Sequence, residues 1–294
     1  MVSTPLGESD DDDDVWPQPS QLWDGMITPL LPMRFAGVLW YQGEANAGDP
    51  STYACRFPAM IAGWRKRLGI PDLPFLYVQL AAYDGSDLSW IRAAQDAALD
   101  LERVRRVLAI DLGDPTSPFG SIHSRRKQQV GRRLALDLLY EVYGTGSGAG
   151  GPELVDIVIK DDSDVTQLRL QLKDAPDLAL QGTAACSECC YELPFETLAA
   201  RTGNWTRVTQ RAVLLNNAIE LKTESNVVGV RYDWEGYPQC AVYDTTRPRL
   251  PMAPFTWCRY GGGIPPWADG SCDVASGAVL LRGANVHLEL PSTE

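Results

Sequence analysis

The nine residues from Gly144 to Pro152 read Gly-Thr-Gly-Ser-Gly-Ala-Gly-Gly-Pro. Five glycines and a proline at that density leave the backbone too free to hold a helix or a strand, so the chain divides there. The hydropathy pattern also changes across the break. Before it, apolar runs at Phe35–Tyr41, Phe75–Leu80 and Val104–Leu112 read as buried strands. They alternate with helix-like stretches at Tyr53–Leu68, Trp90–Leu101 and Lys127–Tyr143, an order that predicts an α/β unit with a parallel sheet. In the last of these helices Val130, Leu134, Leu138 and Val142 recur at four-residue spacing, giving one apolar face to cover the sheet. After the break come short alternating stretches, at Leu154–Ile159, Leu168–Leu172, Ala212–Leu215 and Val227–Tyr232, which predict a β-rich domain. The expected layout is an acidic, disordered segment over 1–20, an α/β domain over 21–144, a linker over 145–152, a smaller β-rich domain over 153–257 and a tail over 258–294. In that tail Val279–Leu281 and Val286–Leu290 suggest a hairpin.

Charge narrows the partners. The 294 residues carry 38 acidic and 26 basic side chains, a net charge of −12, and Glu8 with Asp10–Asp14 supplies six of those acids. Nucleic acid is excluded as a partner, since phosphate binding needs a basic footprint. A membrane span is excluded too, because no apolar run approaches the roughly 18 residues required. Seven cysteines, three of them packed as Cys186, Cys189 and Cys190, suggest disulfides. Their spacing offers no second close Cys or His pair for zinc, so neither a metal nor another cofactor is expected. Asn204-Trp205-Thr206 has the form of an N-glycosylation acceptor. Both features suit a secretory compartment, although Met1–Trp16 has no apolar stretch of the kind a signal peptide requires.

In an open α/β sheet, chemistry collects at the carboxyl ends of the strands. The first strand runs into Gln42-Gly43-Glu44-Ala45-Asn46, which offers two amides and a carboxylate within five residues. Amides can donate to a developing oxyanion, and a carboxylate can orient an imidazole. A polar turn capped by Asn46 accounts for the spacing equally well. The third strand leads into Asp111-Leu112-Gly113-Asp114 and then Gly120-Ser121-Ile122-His123 at the expected start of a helix. His123 is one of two histidines, and an imidazole is the usual general base near neutral pH. Arg125, Arg126, Lys127, Arg132 and Arg133 follow it and would help keep the imidazole neutral, or form a solvated helix face.

Trp40-Tyr41-Gln42-Gly43-Glu44-Ala45-Asn46, taken with Asp111-Leu112-Gly113-Asp114 and Ser117-Pro118-Phe119-Gly120-Ser121-Ile122-His123, resembles the sialate O-acetylesterase family of SGNH hydrolases. The resemblance runs from Leu22 through Tyr143 and continues more loosely to Phe255. It implies a flavodoxin-like α/β/α catalytic domain, incomplete at its N-terminus, and hydrolysis of acetyl esters on sugars, O-acetylated sialic acid above all, in lysosomal or extracellular settings. By the same resemblance His123 matches the catalytic base, Gln42 and Asn46 lie in the block that helps form the oxyanion hole, and Glu44 is that block's carboxylate. The basic residues Arg125 and Arg126 would suit the carboxylate of a sialic acid.

Two departures shape the expectation. The family's nucleophilic serine sits in a Gly-Gln-Ser-Asn turn upstream of everything matched, and no such string occurs in this sequence. Without it the chain should bind but not turn over substrate, and the absent first strand should expose a sheet edge. The family also places Asp two or three residues before the histidine, where Gly120 and Ser121 stand here. Glu44 is the expected replacement acid, with Asp111 and Asp114 as alternatives. A glycan-binding protein without activity is the competing reading. A cysteine nucleophile would have to be Cys55, whose helical setting predicts burial instead.

Overall fold

The computed structural model describes residues 20–146, 148, 150–161, 165–183, 193–199, 204–209, 212–224, 226–246, 250–258 and 285–289. The acidic stretch, Cys186, Cys189, Cys190, Cys272 and Val279–Leu281 lie outside them.

The first part holds three parallel strands, β1 (Val38–Trp40), β2 (Phe75–Gln79) and β3 (Val104–Leu108), in the order β1-β2-β3. Three helices, α1 (Pro50–Leu68), α2 (Ser89–Gln95) and α3 (Lys127–Tyr143), alternate with them. The first and third strands are shorter than the apolar runs that predicted them, because Ala109–Leu112 already turns away as a loop and Phe35–Gly37 precedes the ladder. The predicted Trp90–Leu101 helix is α2 followed by a 3₁₀ segment, Asp96–Asp100.

Sequence accounts for the ends of α1 directly. Asp49 caps it by accepting the Thr52 N–H at 3.1 Å, and Pro50 fills the first position, where an N–H has no partner to lose. Gly69, at φ 67°, closes it in the left-handed conformation. Tyr53, Ala54, Phe57 and Ile61 then line one buried face. β2 is buried along its whole length and serves both sides of the sheet. Phe75 and Tyr77 meet α1 and α2, while Leu76 and Val78 meet Val130 and Leu134 of α3, with Leu138 alongside. Val142 lies outside that cluster, half-buried. The result is an α/β/α layering. β1 is an outer strand of this sheet among the described residues, and its Leu39 is 51% exposed. Cys55 is exposed on α1, against the expected burial, because its position falls between the inward residues Ala54 and Phe57 and turns out to solvent.

The second part is built from β4 (Glu153–Asp161), β5 (Val165–Lys173), β6 (Leu178–Gly182), β7 (Phe195–Ala199), β8 (Trp205–Arg207), β9 (Val213–Leu215), β10 (Ala218–Glu224), β11 (Val227–Tyr232), β12 (Cys240–Asp244), β13 (Leu250–Pro251), β14 (Phe255–Cys258) and β15 (Asn285–Glu289). They form sheets ordered β15-β4-β5-β10-β9, β14-β11-β7-β8 and β13-β12-β6. β15, the later half of the expected hairpin, pairs with β4 in parallel. In β5 Leu168, Leu170 and Leu172 point inward between the outward Gln167, Arg169 and Gln171, the period of two that marked the segment as a strand. These leucines meet Phe195, Val230, Tyr232 and Trp257 of the facing sheet in one core. Cys240 and Cys258 are each engaged in a disulfide.

The two parts meet over the loops at the carboxyl ends of β2 and β3. Arg92 of α2 is 1% exposed, and its guanidinium donates to Leu80 O, Ala81 O, Glu235 O and Gly236 O at 2.7–3.2 Å, stitching both sides together. Burial draws its pKa down to about 10, which leaves it charged at neutral pH. Gly236 comes so close that a Cβ there would stand 2.5 Å from Ser86 O, and only glycine allows that approach.

Candidate active site

Because β1, β2 and β3 are parallel, the loops after β1 and β3 emerge from the same edge of the sheet, separated by the width of one strand, roughly 10 Å. Gly43 lets the first loop turn. Its φ is +150°, and a Cβ would meet Leu80 Cδ1 at 3.3 Å and Gln95 Nε2 at 3.4 Å. Gln95 of α2 secures the same loop from below: its Nε2 donates to Gln42 O at 3.1 Å and to Val78 O at 3.0 Å, while its Oε1 accepts the Leu80 N–H at 3.1 Å. The Tyr53 hydroxyl reaches both Gln42 O and Gln42 Oε1 at 3.2 Å.

Gln42 Nε2 donates to Asn46 Oδ1 at 2.7 Å. That bond uses the Asn46 carbonyl as acceptor, so the donor end of the Asn46 amide is the one turned away from Gln42. Glu44 opens a single 3₁₀ turn, Glu44–Asn46, and is half-buried. Among the described residues no cation pairs with it. Its charge is felt by Tyr41, whose hydroxyl is pushed up to about 12 by burial first and by Glu44 second.

The loop after β3 is laced to itself. Asp114 takes three bonds from Arg125: the backbone N–H at 3.1 Å, Nε at 2.6 Å and Nη2 at 2.8 Å. The Arg125 guanidinium holds the Asp114 carboxyl far below the ordinary carboxylate range. Asp111 is clamped by Arg133 at 2.6 and 2.8 Å and receives the Tyr243 hydroxyl from β12 at 3.2 Å. Two serines bind carbonyls, Ser117 Oγ that of His123 and Ser124 Oγ that of Leu112, both at 2.7 Å.

His123 itself is exposed and sits four residues before α3, not at its first turn as expected. Gly120, at φ 90°, turns the chain ahead of it, and the His123 N–H closes onto Gly120 O at 2.9 Å. Among the described residues none hydrogen-bonds its imidazole. One contact joins the two loops: Lys127 Nζ lies 4.4 Å from the centroid of the Tyr41 ring, a cation–π pair that ties the start of α3 to the end of β1.

The structure thus brings Gln42 and Asn46 into contact and sets Glu44 beside them. Asp111 and Asp114 are both committed to arginines, and Arg125 is committed in turn to Asp114. Arg126 is half-buried, and Asn204 is exposed just ahead of β8. Gln95, Tyr53 and Arg92 are the supporting residues that sequence reasoning missed. The available signal was a polar pair, Arg92 and Gln95, three apart in the otherwise apolar Trp90–Gln95 stretch. Among the described residues no cluster of His, Cys, Asp or Glu has metal-site geometry, and no helix is long and apolar enough to cross a membrane.

An α/β/α sheet with a histidine loop and an amide-and-carboxylate loop at one edge fits the SGNH-type fold. Comparison with known proteins agrees. Residues 13–139 match the family described as carbohydrate esterase, sialic acid-specific acetylesterase, and residues 157–259 match the sialate O-acetylesterase C-terminal domain. The chain belongs to the sialate O-acetylesterase family. It is 34% identical over 268 residues to sialate O-acetylesterase of Rattus norvegicus, covering 81% of this chain and 47% of that protein. The human sialate O-acetylesterase is 33% identical over 271 residues, covering 80% and 48%. A crystal structure of a carbohydrate acetylesterase from Xanthomonas citri superimposes with a TM-score of 0.65 at 30% identity, over 80% of this chain and 53% of that one. The chain spans about half the length of the curated relatives it matches.

Proposed function

We propose that this chain serves a carbohydrate O-acetylesterase whose substrate is an acetylated sugar, O-acetylated sialic acid in particular. The observation that carries the reading is the convergence of the Gln42–Asn46 and His123 loops at one sheet edge, joined through Tyr41 and Lys127. In this reading His123 removes the proton from an attacking hydroxyl and returns it to the departing sugar oxygen. Asn46, with its carbonyl engaged by Gln42, donates its N–H to the oxyanion of the tetrahedral intermediate. Glu44 orients the imidazole, being the candidate acid with no guanidinium against it among the described residues. Arg125 and Arg126, two and three residues after His123, would receive the carboxylate of a sialic acid, although Arg125 must share its guanidinium with Asp114.

The attacking hydroxyl is assigned to the serine of the family's Gly-Gln-Ser-Asn turn, a string this sequence lacks. Ser117 and Ser124 are poor substitutes, since both hydroxyls already bind carbonyls of their own loop. The test is acetyl release from an activated acetyl ester by the 294-residue chain, alone and after fusion to a segment from a relative that carries that turn. The expected outcome is little release alone and release on fusion. Robust hydrolysis by the chain alone, abolished by a serine-directed fluorophosphonate, overturns the assignment of the hydroxyl. Sugar binding without release in either form favours a glycan-binding role instead. The disulfides at Cys240 and Cys258 and the exposed Asn204 support a lysosomal or extracellular setting.

A further inference from the structure

A cavity of about 240 Å³ lies between α2 with its 3₁₀ extension on one side and the β-rich part on the other. None of His123, Glu44, Gln42, Asn46, Asp111 or Asp114 lines it. Its walls are largely apolar, from Leu99, Leu154, Pro254 and Phe255, with Trp234 contributed by the turn after β11. Trp234 is held edge-on by Trp90, their ring centroids 5.3 Å apart at 88°.

Most of the charged groups in the wall are already matched. Arg106 pairs with Asp96 and, at 3.3 Å, with Glu153. Asp96 also accepts the Tyr77 hydroxyl at 2.7 Å and Gln79 Nε2 at 3.0 Å. Arg92 is engaged by its four carbonyls. Asp233 is the exception. It is 2% exposed, and neither carboxylate oxygen has a hydrogen-bond partner of acceptable geometry among the described residues. The Tyr232 hydroxyl leans on it as a side-chain donor of poor geometry, and the charges of Arg92 and Arg207 act on it as well. A buried carboxylate left this way costs free energy unless a donor reaches it.

The chemistry of the wall selects the donor. A carboxylate is an acceptor only, so its partner must bring N–H or O–H. Even with Asp233 neutral, Asp96, Asp100 and Glu153 outnumber Arg92 and Arg106, so the cavity opposes an anion such as a sialic acid and favours a cation. An aromatic wall beside the acid adds a cation–π surface, and the apolar remainder suits a hydrocarbon body. We propose that this cavity is a binding site for a small organic amine, with the ammonium on Asp233 and the apolar body against Trp234, Leu154 and Phe255. Burial pushes the Asp233 carboxyl well above its usual range, so an arriving ammonium supplies N–H donors while the carboxyl releases its proton to solvent, leaving an ammonium–carboxylate pair. The site joins the two parts of the chain, and occupancy should brace them against each other.

The experiment titrates the full 294-residue chain with 2-phenylethylamine, with its neutral counterpart 2-phenylethanol and with N-acetylneuraminate, followed by tryptophan fluorescence and calorimetry. The amine should bind saturably and raise the unfolding midpoint. The alcohol should bind about tenfold more weakly or worse, since a hydrogen bond between charged partners is lost. The acid should not bind at the cavity. Asp233→Asn keeps the shape and suits the left-handed backbone at that position, φ 47°, and it should weaken the amine by about tenfold or more. Trp234→Leu should weaken it several-fold. Equal binding of alcohol and amine, wild-type amine binding by a folded Asp233→Asn, or no saturable amine binding at millimolar concentration would each overturn the proposal. Should Asp233→Asn fail to fold, the comparison of amine with alcohol on the unaltered chain decides alone.

Discussion

The loop after β1 is held from beneath, by a glycine that fits against Leu80 and by Gln95 and Tyr53 reaching up from α2 and α1. The loop after β3 holds itself, through Asp114 with Arg125 and through serine hydroxyls on its own carbonyls, and it leaves His123 exposed at its tip. The difference matches the work each would do in acyl transfer. Oxyanion donors act through preorganisation and gain from a rigid base, whereas a proton-shuttling imidazole must reach both nucleophile and leaving group. Rigidity comes from the core on one side and from local ion pairs on the other, so the two loops should fail in different ways.

The largest expected effect separates the carboxylates. In a form fused to the Gly-Gln-Ser turn, Glu44→Gln should lower kcat by up to about 10⁴-fold with little change in KM, while Asp114→Asn should be far milder. Near-normal turnover of Glu44→Gln beside a collapse of Asp111→Asn or Asp114→Asn would return Glu44 to a purely structural turn.

Next in size is the base of the second loop. Arg133→Met leaves Asp111 buried without its cation and should cost about 3–5 kcal/mol in denaturant unfolding. A loss no larger than that of an exposed Arg132→Met would show that the Tyr243 hydroxyl and solvent suffice for Asp111. Gly43→Ala should cost less, about 1–3 kcal/mol, through a strained backbone and the crowded Leu80 contact. Its activity loss should exceed what the stability loss explains, because the Gln42–Asn46 pair moves with it.

The smallest effect is in pH. Asp114 has a folded pKa below its unfolded value, so its contribution is complete above the ordinary carboxylate pKa of about 4 and is lost as pH falls through the lower folded value. Arg125 is 52% exposed, and solvent screening keeps the contribution modest. Amide exchange should therefore show the Leu112–Arg126 loop loosening under strong acid while the Gln42–Asn46 loop keeps its protection. Simultaneous loosening of both would mean that the loops are one unit.

Much of this was legible in the chain. The helical pattern gives α1 with its end at Leu68 but begins it at Tyr53, three residues after the true start at Pro50 that Asp49 caps. The Lys127–Tyr143 spacing gives α3 with its bounds, and the period-two leucines of β5 announce a strand, because facing is local in sequence. The Gln42–Asn46 and His123 strings mark the two loops by residue type alone. What stayed illegible depends on who stands opposite. Cys55 looked like a core residue and faces solvent, since one step along a helix turns a side chain by about 100°. Asp111 and Asp114 read as possible catalytic acids, and only the structure shows Arg133 and Arg125, 22 and 11 residues away, paired with them. Sequence by itself determined most of the helices, the strand pattern and the inventory of reactive groups, all set by spacing within a few residues. Tertiary structure alone decided which carboxylate is left without a guanidinium, what supports the Gln42 loop from below and where the two parts enclose a cavity, because a charge or an amide has no role until packing chooses its neighbours.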